Sequence, residues 1–166
     1  MALSDSQKAF LKDASAAAKK SEQATGVPAS IIVAQAVLES GWGKSHMGDA
    51  NNYFGIKAQE KNGNVDFGNI ATGFVDKSTK EFKNGNAFFV VAHFRAYKNM
   101  ADSFTDHGMF LKNGSRYRAA MTAYAANKDA SEFARGLQKA GYATDPDYAK
   151  KLISIMTKND LLKINA

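Results

Sequence analysis

The sequence predicts an α+β fold, mostly α, with helices first, a small antiparallel lobe in the middle, and helices again to the end. Three observations carry this. Apolar residues recur at helical spacing on both flanks. Two β-favouring runs, "TGFVDKSTKEF" and "AFFVVAHFRAY", meet around the turn sequence "KNGN". The breakers "TGVP", Gly114 and Gly141 fall where one segment gives way to the next. At 166 residues, 45% hydrophobic and 23% charged, the chain is long enough to bury a core without disulfides or metal. It reads as a single domain, 1–166, with a β-lobe at about 63–97 and no repeat of solenoid length.

The elements follow in order. From Ser4 or Ser6 to about Ala24 the chain offers Ser and Asp caps, many alanines, and Phe10, Leu11 and Ala14 at near-helical spacing, which predicts a first helix. Pro28 suits the opening turn of a second helix, because its missing N–H would have no partner there; that helix should run to Ser40. Its core, "IIVAQAVL", is apolar almost all round and predicts burial on most sides. Residues 46 to 70 are rich in Gly, Asn and Asp and read as loop, with a short ordered element around "NYFGIKA". A hairpin is expected between about Ala71 and Tyr97. Further helices are expected at about Met100 to Leu111, Arg116 to Ala126, Ala130 to Ala140 and Pro146 to Lys158.

Composition excludes several kinds of chemistry. With no cysteine there is no thiol nucleophile, disulfide framework or zinc-finger spacing. His46, His93 and His107 lack metal-binding spacing and read as ordinary surface or core histidines, so no metal or other cofactor is expected. The net charge of +6 favours encounter with polyanions, but the basic residues are scattered and no nucleic-acid motif is present, so a nucleic-acid partner is not expected. The N-terminal stretch is too charged for a secretory leader, and no apolar run is long enough to span a bilayer.

One short stretch carries chemistry. In "AQAVLESGWGKS", a greasy helix delivers Glu39 to its last turn, beside a tryptophan held between two glycines. Gln35 lies one turn earlier on the same face. The negative end of the helix dipole and apolar walls both disfavour a charged Glu39, so its pKa should be raised, as a general acid requires. Gly41 and Gly43 permit a tight reversal that places Trp42 next to the acid; Trp42 reads as a prop beneath Glu39 more readily than as a ring facing a ligand.

Five blocks, "AQAVLESGWGKS", "NNYFGIKA", "FRAYKNMADSFTDH", "RYRAA" and "LQKAGYATDPDYAKKLISIM", together resemble the bacterial and phage N-acetylglucosaminidases of glycoside hydrolase family 73, which include the wall-cutting domain of the flagellar rod-assembly protein. The blocks keep the family's order across most of the chain. The resemblance implies a lysozyme-like fold with a groove between a helical lobe and a hairpin lobe. It implies an endo-β-N-acetylglucosaminidase that cuts the GlcNAc-to-MurNAc bond of peptidoglycan, with Glu39 as the catalytic acid. The family's second carboxylate maps to Glu81, with Asp76 and Asp66 as alternatives. Tyr142 matches a tyrosine placed close to the acid. Tyr148, Asn52, Phe54 and Gln35 are further candidates for binding substrate. Tyr53 stands where the family usually has an aliphatic residue.

Peptidoglycan strands are thus the expected partner, with weak attraction to anionic envelope polymers and a monomeric state. The expected setting is synthesis in a bacterial cytoplasm without a Sec signal and action on the wall after release, as for a phage endolysin. A muramidase or lytic transglycosylase on the same scaffold, or a non-catalytic wall-binding module, is the competing reading.

Overall fold

The computed structural model describes residues 2–166. Ser4 starts the first helix by accepting from the Gln7 N–H at 3.1 Å, while the Gln7 side chain accepts from the Ser4 N–H at 3.0 Å. This reciprocal cap satisfies two donors that the first turn would otherwise leave open. The helix, α1, runs Asp5–Thr25, buries a stripe of small residues (Ala14, Ala17, Ala18 and Ser21) where it packs on α2 (Ala29–Ser40) and α3 (Met100–Asn113), and sets Phe10 against Gly43 and Tyr53.

α2 (Ala29–Ser40) is the central element. Its residues from Ala29 to Val37 are all buried, which the all-round apolar sequence predicts. Pro28 offers no side-chain cap. Instead, Glu22 Oε1 accepts from the Ala29 N–H and Asn165 Oδ1 from the Ser30 N–H, both at 2.7 Å. A carboxylate at a helix N-terminus also complements the dipole. The start of α2 is thereby tied to α1 and to the end of the chain, and Glu22 accepts further from the Tyr124 hydroxyl and the Ala166 N–H, each at 3.2 Å.

After a 3-10 turn at Gly48–Ala50, the β-lobe forms as two separate antiparallel hairpins. β1 (Gln59–Lys61) pairs with β2 (Asn64–Asp66), and β3 (Gly73–Lys83) pairs with β4 (Asn86–Ala96) in a register that sets Glu81 opposite Phe88 and Asp76 opposite His93. Both hairpins turn on the same tetrapeptide, KNGN, with positive φ at Asn62, Gly63, Asn84 and Gly85, the geometry of the tight turn that matches strand twist. The first hairpin falls within the stretch expected to be loop. Its strands are three residues long and polar, so no apolar alternation announced them. The base of β4 gains a third neighbour: the Ala58 N–H donates to His93 O and the Arg95 N–H to Ile56 O. This seats segment 56–58 beside the long hairpin.

The chain closes with α4 (Arg118–Asn127), α5 (Ala130–Lys139) and α6 (Tyr148–Lys158). α4 and α6 start two residues later than the sequence predicts. Ser115–Tyr117 forms a 3-10 turn, and Pro146 lies in the turn ahead of α6, not inside it. The expected α+β, mostly α architecture holds, with the apolar core gathered around α2. Among the described residues no helix is long and apolar enough to cross a membrane.

Candidate active site

α2 ends immediately after Glu39. Gly41 takes a left-handed conformation, φ 58°, and its N–H donates to Val37 O. Ser40 locks the turn by donating to Ala36 O at 2.5 Å and accepting from the Gly43 N–H at 2.9 Å. Gly43, at φ 83°, lies so close to Phe10 that a Cβ there would stand 2.4 Å from the ring. The "GWG" turn is thus a packed reversal against α1, and Trp42 joins the core beneath it. Trp42, half-buried, does not line the cavity that holds Glu39 and faces Leu3 and Lys158–Asp160 instead.

That cavity is a groove of about 570 Å³ between the helices and the β-lobe. Glu39 lines it together with Phe54 to Lys57, Gln59 and Arg95 from the β-lobe side, His107 and Phe110 from α3, Arg116 and Tyr117 from the turn before α4, and Tyr142 from the α5–α6 loop. Glu39 keeps an open face to the groove, yet the surrounding walls strip enough water to raise its pKa above the ordinary carboxyl range. It is the only carboxylate among the described residues lining this groove.

Rings form the floor and one wall. Phe54 stacks face to face on His107, with centroids 4.0 Å apart and planes within 3°. Tyr142 stacks on Tyr148 at 5.3 Å and meets His107 edge-on at 6.2 Å. Burial raises the Tyr142 hydroxyl's pKa, followed by the charges of Tyr148 and Glu39, so this phenol stays a proton donor beside the acid. Behind the floor runs a buried polar chain. His107 Nε2 meets Gln35 Oε1 at 2.8 Å, and Gln35 Nε2 donates to the Tyr148 hydroxyl at 2.9 Å. Burial lowers the His107 pKa to about 3, so the ring is neutral. With Gln35 offering an acceptor, its proton sits on Nε2, and Nδ1 is left without a partner.

The structure brings some of the sequence-derived site residues to the groove and keeps others away. Glu39, Phe54 and Tyr142 line it. Gln35, Asn52 and Tyr148 do not: each is buried and already hydrogen-bonded. Asn52 donates to Ile56 O and Arg95 O and accepts from the Ile56 N–H, which bolts the 52–56 loop to β4. Helical spacing points to Gln35, and the family resemblance to Asn52 and Tyr148; neither reports depth. Tyr53, at the departure from the family pattern, is likewise buried, stacked on His46.

Glu81 lies on β3, half-buried, with its carboxylate 3.8 Å from Lys57 Nζ and accepting from the Thr79 hydroxyl at 3.3 Å. It is one side chain removed from the groove, since Lys57 lines it and Glu81 does not. Asp76 pairs with His93. Asp66 is held below the ordinary carboxylate range by the Gly68 N–H and then Lys61, and stands on β2. Neither lines the groove. The lining residues that the sequence leaves without a role include Lys57, Arg95, His107, Phe110, Arg116 and Tyr117. Four of them stand in "FRAYKNMADSFTDH" and "RYRAA", so the blocks were noticed without their chemistry.

Comparison with known proteins places this arrangement. Residues 15–161 match the glucosaminidase family, described as mannosyl-glycoprotein endo-beta-N-acetylglucosaminidase. The chain is 37% identical to the peptidoglycan hydrolase FlgJ of Vibrio parahaemolyticus, over 93% of this chain and 48% of that protein. It is 35% identical to the exo-glucosaminidase LytG of Bacillus subtilis, over 95% of this chain and 53% of that protein. It thus spans about half the length of these curated relatives. The catalytic domain of the autolysin Auto from Listeria monocytogenes superposes with a TM-score of 0.80 at 27% identity, covering 99% of this chain and 90% of that one. With the family match extending over most of its length, the chain belongs to the glucosaminidase family of glycoside hydrolases.

Proposed function

We infer that this domain hydrolyses the glycan strand of peptidoglycan as an endo-β-N-acetylglucosaminidase, with Glu39 as its general acid. The observation that carries this is Glu39 itself: a desolvated carboxyl with raised pKa, alone among carboxylates on the lining of an aromatic groove. A carboxyl whose pKa is raised in this way is the better proton donor to the glycosidic oxygen as the bond to C1 breaks. Rings stack on pyranose faces, and Phe54, Phe110 and Tyr142 supply them. A second cavity, lined by Gly68 to Ile70, Met109 and Asn113, adjoins the groove through Arg95 and Phe110. A groove that continues past the acid suits a polymer cut within its length.

A single lining carboxylate favours substrate assistance, in which the 2-acetamido oxygen attacks C1 and Glu39, after giving up its proton, takes one from the attacking water. Glu81 would then orient through Lys57 and not react. The muramidase and transglycosylase readings share this groove and differ in product. We place the enzyme's action at the bacterial wall; the +6 charge supports attraction to anionic envelope polymers.

The test is turbidity loss on purified sacculi, with mass spectrometry of the muropeptides. Glu39→Gln should lose at least ~100-fold in rate, and wild-type products should carry reducing GlcNAc ends. Reducing MurNAc ends would make it a muramidase, 1,6-anhydro ends a transglycosylase, and binding without clearing a docking module. Glu81→Gln should cost much less than Glu39→Gln; an equal loss would mean that the long hairpin brings Glu81 into the reaction.

A further inference from the structure

A backbone of N-acetylated sugars is uncharged, so rings and neutral donors suffice to hold it. This groove carries more. Lys57, Arg95 and Arg116 line it against the single carboxyl of Glu39. Two of these cations are engaged: Lys57 stands 3.8 Å from Glu81, and Arg95 donates to Asp106 at 2.9 Å. Arg116 forms no ion pair among the described residues.

Arg116 is nonetheless held in place. Its guanidinium lies 5.2 Å from the centroid of the buried Tyr117 ring, and its Nη1 runs beside Gly141, 4.0 Å from where a Cβ there would stand. This sets it next to Tyr142, on the same wall of the groove as the ring that senses Glu39. A guanidinium resting on a ring keeps its in-plane N–H donors for a planar anion, and their fork matches a carboxylate.

We propose that Arg116 is a carboxylate-binding residue of this groove, recognising the acidic substituent on every second sugar of peptidoglycan and so selecting such strands over neutral chitin-like ones. This rests on the peptidoglycan reading above and names the part of the substrate that the Tyr142 wall reads. Two carboxylates share the chemistry: the acids of the stem peptide, and the lactyl acid exposed when an amidase removes the stem.

The experiment compares wild type, Arg116→Gln and Arg116→Lys on stem-bearing strands, amidase-stripped strands and chitin oligomers. Arg116→Gln should raise KM on an acid-bearing strand roughly three- to tenfold with kcat nearly unchanged, and should leave chitin oligomers unaffected. The acid-bearing substrate that shows the effect identifies the source. Added salt should raise the wild-type KM more than that of Arg116→Gln, and Arg116→Lys should keep part of the salt response. Unchanged KM on both acid-bearing strands overturns the proposal, as does an equal loss on chitin. Should chitin oligomers not be turned over, the KM shift and the lost salt response decide. Wild-type failure on every glycan would sink the peptidoglycan reading itself, whereas an active wild type matched by Arg116→Gln sinks only this inference.

Discussion

Desolvation by the groove walls raises the pKa of Glu39; of the two causes that the sequence suggests, helix dipole and apolar walls, the structure supports the second. Hydrolysis should therefore fall as pH rises through this raised pKa and not through the ordinary value of 4.5. The same shift has a sign for stability. A carboxyl whose pKa is raised on folding binds its proton more firmly in the folded chain, so its contribution is complete below 4.5 and is lost as pH rises through the folded value. Glu39→Gln should accordingly melt higher than wild type at neutral pH, with the gap closing as the buffer approaches 4.5. A variant that melts lower at neutral pH would mean that Glu39 is ionised and stabilised there. At this scale the sequence was legible where a residue type is rare in its surroundings: one acid ending an apolar helix stands out. Gln35, Asn52 and Tyr148 lie buried off the groove lining: helical spacing places Gln35 by direction and motif likeness places Asn52 and Tyr148 by segment, and neither reports depth within a fold.

The turn that ends α2 makes its own claim on stability. A methyl at Gly43 meets Phe10 at 2.4 Å and is forced into left-handed backbone, whereas a methyl at Gly41 meets nothing within 4 Å and has only the backbone cost. Gly43→Ala should then cost about 2–4 kcal/mol and Gly41→Ala about 1 kcal/mol in urea unfolding. Equal costs would show that Phe10 gives way freely. Both glycines could be read as turn formers from "GWG", but which one bears the packing required knowing that α1 passes beneath. The hairpins teach the same lesson. The second KNGN announces its hairpin because apolar runs flank it, while an identical tetrapeptide at residues 61–64 reads as loop because its flanks are polar. Turn chemistry was sufficient in both places, and neighbouring patterning decided only whether it was noticed.

Across the whole molecule, the groove floor is pinned by one buried chain joining α2, α3 and α6 through Gln35, His107 and Tyr148. His107 must stay neutral in it. Because its pKa falls from 6.5 to about 3 on folding, the folded chain binds fewer protons than the unfolded one between these values, and stability is lost as pH falls through that window. Calorimetric melting should drop from pH 6.5 toward pH 3 by more in wild type than in His107→Gln, whose amide cannot be protonated there. Parallel curves for the two proteins would remove His107 from the acid response. The helix-hairpin-helix order was readable because each segment carries its own period, but this chain was not, because its members come from three blocks that meet only on folding.

The clamp at the start of α2 bears on how the protein is made. Ser30 and Ala29 receive their acceptors from Asn165 and from a Glu22 that also holds Ala166, partners separated by 135 and 144 residues for the pairs Ser30–Asn165 and Glu22–Ala166. During synthesis the helix that bears Glu39 therefore emerges early, yet one of its first-turn donors waits for a partner until residue 165 has cleared the ribosome. A nascent chain can assemble α1, α2 and both hairpins and still lack the tie that fixes the acid-bearing helix at its far end. Maturation of the groove is in this sense timed by residues 165 and 166, which lie nowhere near it in the sequence.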